Sequence, residues 1–367
     1  MRAPRRHRSR AAASAFLLVP AIFTFIAVAV AVIGVVFASC SRSGIHAGDD
    51  SSSPSACAGT CENPACILPG PALPRTEGEF TVLTFNLDHW TLEDRDGDPS
   101  TLEPKPDSET APILQTLRTL SPDIILVQEI GPGDAWDTFR AAFGDAYPHA
   151  HRATVDPSGL DLAILSRIPL DPVTTATNDH YTIGPRKFPV RRGILDATLR
   201  FPNGTTLRLL GAHLKSKKFH EFGQAEMRRN EARLLCNRVR SALKADPTTP
   251  ILVLGDFNDT PSSAPLQEIL TYQNKPILTD LRPTDNLGDA WTYRAEDDAC
   301  LRHDYALASA ALLPYYLPQK TYIPSTPLLS AASDHRPLYL TFRIPDPATP
   351  PPPPPAIPAP RKSHSDD

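Results

Sequence analysis

Several hydrolase signatures are missing from this 367-residue chain. It has no Gly-x-Ser-x-Gly turn to raise a nucleophilic serine and no Gly-x-x-x-x-Gly-Lys loop to cradle a nucleotide phosphate. Its six cysteines include no Cys-x-x-Cys and no matching histidine pair, which argues against a zinc site. Internal repeats are absent. Acids are missing from the first 39 residues, and no charged side chain occurs between Ala11 and Ser41. There is no excess of positive charge either, since 37 basic residues face 41 acidic ones for a net −4. Five of those positive charges sit at the amino terminus, which leaves −9 for the rest of the chain. An acidic body does not favour indiscriminate nucleic-acid binding, so any such contact must come from a local patch.

The uncharged stretch follows Arg2, Arg5, Arg6, Arg8 and Arg10 and is long enough to cross a bilayer. Arginines ahead of the span orient the body outward. Phe37-Ala38-Ser39-Cys40 is similar to a bacterial lipoprotein cleavage site, although Phe37 stands where an aliphatic residue is usual. Residues 1–41 are therefore a signal peptide, lipidated at Cys40, or a retained membrane anchor. Both place the protein outside the cytoplasm, held at the cell envelope or secreted. Residues 42–77 are a linker rich in Ser, Gly and Pro that contains Cys57, Cys61 and Cys66. If Cys40 carries lipid, five cysteines remain and at least one is unpaired or pairs with another chain. Residues 344–367 hold the proline run Pro350 to Pro355 and form a polyproline or disordered tail.

Between these flanks the spacing alternates strand and helix. Phe80 to Leu87 reads as a strand ending at Asn86, Ala111 to Leu120 as a helix, and Ile124 to Glu129 as a buried strand. Asp161 to Ser166 and Leu195 to Phe201 follow as strands. Asn203-Gly204 then makes a hairpin into Leu207 to His213. Phe222 to Lys244 is a long amphipathic helix, and Ile251 to Leu254 runs as a buried strand into Gly255-Asp256-Phe257-Asn258. Asp256 and Asn258 are two apart, and in extended chain they point the same way. Asp304 to Ala308 and Leu338 to Phe342 complete the sheets. Leu313 to Leu317 is expected to be a strand packed into the core.

Polar groups thus recur at one rim: Asn86, Glu129, His213, Asp256 and Asn258 at strand exits, with Asp304 and Ser333-Asp334-His335 at strand starts. One such group is an ordinary cap; seven at one rim are a site.

In chain order, Asn86, Val127-Gln-Glu129, His213-Leu-Lys-Ser216, Gly255-Asp-Phe-Asn258, Arg302-His-Asp-Tyr305 and Ser333-Asp-His335 resemble the endonuclease/exonuclease/phosphatase superfamily. DNase I, abasic-site nucleases, bacterial sphingomyelinases and inositol-polyphosphate phosphatases share this fold. The likeness spans residues 78–343, and together with the amino-terminal stretch it implies an exported bacterial member. It implies an α/β four-layer sandwich, two mixed β-sheets face to face with helices outside. It also implies roles. Glu129 is the metal ligand, with Asn86 beside it and Asp334 completing or supporting the site. The ion is Mg2+, with Mn2+ or Ca2+ as alternatives. His335 is the general base oriented by Asp304, Asp256 and Asn258 position the water and a phosphate oxygen, and His213 donates to another. Lys215 and either Arg192 or Arg191 face phosphate. The sequence departs from the family in three places: no tyrosine near the Asp161 strand, Asp161 itself, and His303 ahead of Asp304.

Three substrate classes stay open. A nuclease leads, because Lys215, Lys217, Lys218 and His220 precede Arg228, Arg229, Arg233, Arg238 and Arg240 on the long helix. Glu221, Glu226 and Glu231 interleave with those arginines and offer them ordinary pairing. A sphingomyelinase-like phosphodiesterase or inositol-phosphate phosphatase is the alternative, and a non-catalytic binding module ranks last. No obligate protein partner is implied.

Overall fold

Along the strand Glu79–Trp90, side chains alternate between two apolar layers. Phe80 and Val82 face a core shared with Leu195, Leu209, Leu252 and Leu254, while Leu83, Phe85 and Leu87 face Ile113, Leu117 and Leu120 of a helix. Both faces of this strand are therefore buried, as the inside of a layered sandwich requires. The computed structural model describes residues 77–155, 159–175 and 179–357. The expectations placed on residues 1–41, and on most of the linker and the end of the tail, lie outside them.

Two mixed sheets form the centre. The first runs Leu338–Arg343, Glu79–Trp90, Ile124–Ile130, Asp161–Ser166 and His149–Arg152 in spatial order. Only the second and third of these pair in parallel. The second sheet runs Thr279–Asp280, Asp304–Ala308, Ile251–Asp256, Thr206–His213, Ile194–Arg200 and Thr174–Thr175. There too a single parallel pair, Ile251–Asp256 with Thr206–His213, lies among antiparallel neighbours. Parallel pairing sends both strand ends to one rim, so each sheet delivers a matched pair of termini there. Asn86 pairs beside Gln128, next to Glu129, in one sheet, and Asp256 pairs beside both His213 and Asp304 in the other.

Leu126 of the first sheet sits so close to Gly211 of the second that a Cβ there would come within 2.9 Å of it. Helix Asp107–Leu120 and the short helix Pro327–Ala332 cover the first sheet's outer face. Helices Gln224–Ala245 and Ala264–Leu270 cover the second through Leu235, Val239, Leu266 and Ile269. The four-layer sandwich is the observed architecture.

One expected element is different. Leu313–Tyr315 is a single 3-10 turn; Tyr316 bridges to Phe342 and the Leu317 amide donates to the Thr341 carbonyl at 2.9 Å. Pro314 and Pro318 remove the donors that a ladder needs, which explains the missing strand. Among the other cysteines, Cys236 is buried and free and Cys300 is disulfide-bonded.

Candidate active site

Asn86 is the hub of the rim. Its Nδ2 lies 3.1 Å from Glu129 Oε1, 3.1 Å from Asp256 Oδ2 and 3.5 Å from His335 Nε2, so groups from both sheets meet on one amide. The backbone there is fastened to the last motif. Ser333 Oγ donates to the Asn86 carbonyl at 2.9 Å and accepts the His335 amide at 3.0 Å.

Each strand end is bent to present its side chain. Glu129 has a φ of +64° beside a bulge between Val127 and Ile130. Asp88 and His89 follow Asn86 with φ of +49° and +55°, at a second irregularity. Left-handed backbone costs a non-glycine residue of the order of 1 kcal/mol, and it clusters here at the site. Asn258 shares it, at +54°. Asp256 and Asn258 are not neighbours by extended alternation, as the spacing suggested. A turn folds Asn258 back, its amide N–H donating to Asp256 Oδ1 at 2.8 Å and its Nδ2 to Asp256 Oδ2 at 3.1 Å. Phe257 leaves in the opposite direction and stacks on Tyr305. Gly255 permits the turn, since a Cβ there would lie 1.9 Å from the Ala212 carbonyl at a φ of +134°.

His335 Nδ1 is 2.8 Å from Asp304 Oδ2, and its Nε2 is 3.7 Å from Asp256 Oδ2 and 3.8 Å from Asp334 Oδ1. Burial alone would depress this imidazole; Asp304, then Asp256, outweigh it and hold its pKa well above the ordinary value. Asp256 is pushed up to about 7 by burial, against the pull of His335. Asp334 rises to about 6, again through burial, with Asp88 and Glu129 adding to it. His213 is buried, with Nε2 3.4 Å from Asp256 and 3.7 Å from Glu129. Burial and the Arg192 charge drive its pKa well below the usual value, so it stands neutral with a proton to donate.

Two groups that sequence reasoning passed over adjoin Glu129. His89 places Nε2 3.3 Å from Glu129 Oε2 and Nδ1 2.7 Å from Glu93 Oε2. Asp88, His89 and Glu129 each offer one donor atom within 4.8 Å of the others, and Asp256, Asp304 and His335 do the same. The first set, carboxylates plus one imidazole, is a donor set that a divalent cation accepts. The Asn-x-Asp-His order was visible, but alternation assigns Asp88 and His89 opposite faces, and the bulge cancels that rule. Tyr293 was also missed. It bridges to His335 by backbone, and its ring lies 4.9 Å from His335 and 4.5 Å from His303. No tyrosine near the Asp161 strand was expected, and this one reaches His335 from the short strand Tyr293–Arg294. His303 is buried beneath it, driven down to about 3 by burial and by Lys217.

Of the arginine pair, Arg192 is the buried member. It donates to the Leu214 carbonyl at 3.3 Å, next to His213, whereas Arg191 is exposed. Lys215 turns its ammonium into its own loop, 3.2 Å from Ser216 Oγ and 3.3 Å from the Lys218 carbonyl. The helix arginines are spent on the fold: Arg228 on Asp259, Arg229 and Arg233 on Glu268, Arg238 on Asp179, and Arg240 over the Tyr272 ring. Their partners belong to other elements and not to the interleaved glutamates.

Residues 84–335 match the model of the endonuclease/exonuclease/phosphatase family. The chain belongs to that family. As a member it is a hydrolase of phosphoester bonds, in a family whose enzymes depend on divalent metal. No curated protein matches the sequence. Among solved structures, it is similar to the human Nocturnin catalytic domain with bound sulfate, at 17% identity and a TM-score of 0.52, covering 73% of this chain and 96% of that one. An endonuclease/exonuclease/phosphatase from Bacteroides vulgatus gives 17% identity and 0.52 over 73% and 99%. ANGEL2, a 2',3'-cyclic phosphatase, gives 15% and 0.53 over 72% and 95%. These likenesses establish the DNase I-like fold.

Proposed function

We propose that this hydrolase is an exported, envelope-held nuclease that uses Mg2+ and cleaves phosphodiester bonds by attack of water. The observation that carries the chemistry is the Asn86 amide, which joins Glu129 and Asp256 at 3.1 Å each and so makes one site of two donor clusters. A divalent cation held by Glu129, with Asn86, Asp88, His89 and Asp334 adjoining, supplies charge to offset the phosphate and leaving oxygens. His335 takes the proton of the attacking water, and Asp304 holds its ring and stabilises the imidazolium that results. Asp256 and Asn258 orient the water. Neutral His213 donates to a phosphate oxygen as charge builds there, and Arg192 lies behind it.

Nucleic acid is favoured as substrate by the exposed cations Arg186, Lys187, Arg191, Lys217 and Lys218, which lie on two segments packed together at the second sheet's end of the site. Export rests on the amino-terminal sequence and agrees with the disulfide at Cys300, a bond that persists in oxidising compartments. The test incubates the full-length protein and a His335→Ala variant with linear DNA, RNA, sphingomyelin and phosphoinositide, with and without EDTA. Nucleic-acid cleavage that is lost with EDTA and in the variant is expected. Lipid turnover alone would sink the nuclease reading.

A further inference from the structure

The site lies between two segments of opposite charge, one on each sheet. Residues 93–109 leave the strand that carries Asn86 and contain seven acids against Arg95 and Lys105. Both cations turn inward: Arg95 donates to the His89 carbonyl and pairs with Glu93, while Lys105 is buried against the Asp88 carbonyl and Glu109. What remains outward is negative, with Leu92 and Leu102 as the exposed apolar side chains.

Across the site, residues 186–192 and 213–222 contain seven Lys and Arg against Glu221. Ring contacts join the two segments, Phe188 to Phe222 at 5.2 Å and to His220 at 6.0 Å, with Arg186 over the Phe222 ring at 5.1 Å. At the tip of the His213 loop stands Phe219, 85% exposed between Lys217-Lys218 and His220. A bare phenyl flanked by cations is what a single-stranded nucleic acid uses, with bases on the ring and phosphates on the ammonium groups. A membrane surface would ask for a larger apolar patch than one side chain.

We propose that the polyanionic body of the substrate lies on the basic side alone, with a base stacked on Phe219, and that the acidic side admits only a single terminal nucleotide, so that cleavage proceeds from a chain end. A strand running through the site would carry its phosphates across the outward carboxylates of the 93–109 segment, within the ~10 Å reach of unscreened charge. A single terminal nucleotide, released with the scissile phosphate on it while the body departs with a free hydroxyl, brings no further phosphate there at any step and meets Leu92 and Leu102 instead. The inference rests on the nuclease reading.

The experiment uses the full-length protein with Mg2+ and three substrates: end-labelled single-stranded oligonucleotides, the same sequences closed into circles, and supercoiled plasmid. Stepwise shortening of the linear strand with the circles untouched is expected; the label shows which end is attacked. Phe219→Ala is expected to raise KM for the linear strand about tenfold with kcat nearly constant, and Phe219→Trp to restore it. Converting Asp94, Asp96 and Asp98 together to Asn is expected to open the site to internal cutting of the circle. Wild-type cleavage of circular strands as fast as linear ones overturns end-directed action while leaving the nuclease reading intact. Equal KM for Phe219→Ala and wild type overturns the stacking. No cleavage of any of the three, with sphingomyelin added in parallel turned over, overturns both the reading and the inference.

Discussion

The two flanks of the active site are built on the same plan and carry opposite charge. Each is the segment that leaves one member of its sheet's single parallel pair, and each follows a polar residue of the site, Asn86 on one side and His213 on the other. On the acidic flank the cations are consumed internally, so the carboxylates define the surface. On the basic flank Lys215 is turned into its loop and Arg192 is buried against the Leu214 carbonyl, while Lys217, Lys218 and Arg191 stay exposed. The difference separates two tasks: one flank gathers donors suited to a cation, and the other offers cations suited to phosphate. Joining them is the work of Asn86 and of the Ser333 hydroxyl behind it.

The comparison breaks most completely if the acidic flank loses its anchor. Glu129→Gln is expected to cost about 10³-fold in kcat and to abolish the stabilisation by added Mg2+ seen in thermal unfolding. An unchanged Mg2+-dependent shift would place the cation elsewhere. The next effect falls on the junction. Asp304→Asn is expected to lower kcat about a hundredfold. Asp304 raises the His335 pKa, and the base works only when unprotonated, so activity rises with pH as that proton leaves. Removing Asp304 moves this limb of the kcat/KM profile to lower pH. A limb that stays in place would show that His335 is not the titrating base. On the basic flank, Lys217→Ala is expected to raise KM several-fold without touching kcat, and to flatten the dependence of log KM on log salt.

The smallest effect concerns the support of that flank. Glu231, buried beneath it, accepts the Lys215 amide at 2.6 Å and is pushed up to about 7 by burial, from an ordinary 4.5. A carboxyl with a raised pKa binds its proton more tightly in the folded state. Its contribution is therefore favourable below 4.5 and is lost as pH climbs to about 7. Glu231→Gln is expected to melt on the order of a few degrees above wild type at pH 7, the gap closing toward pH 4.5. A gap that is constant with pH would mean the carboxyl does not titrate in that range.

The strands and most of the site were legible because their signals are local. Apolar runs closed by Asn86, Glu129, His213 and Gly255-Asp256 name both the sheet and its rim, and the order of motifs names the fold. What escaped was set by backbone outside the regular periods. Asp88 and His89 join Glu129 only because two successive left-handed residues undo strand alternation. Tyr293 reaches His335 across 42 residues through one isolated bridge. The helix arginines resembled a phosphate track because their partners, Asp179, Asp259 and Glu268, lie far off in sequence.

Gly255 carries a consequence for any mutational scan of this enzyme. A substituent there strikes the Ala212 carbonyl before any substrate arrives. In an activity screen, position 255 would therefore score as intolerant as 335, although glycine offers no chemistry to phosphate. The two positions separate only when the amount of folded protein is counted alongside turnover: loss at 335 leaves folded but silent molecules, and loss at 255 leaves fewer molecules.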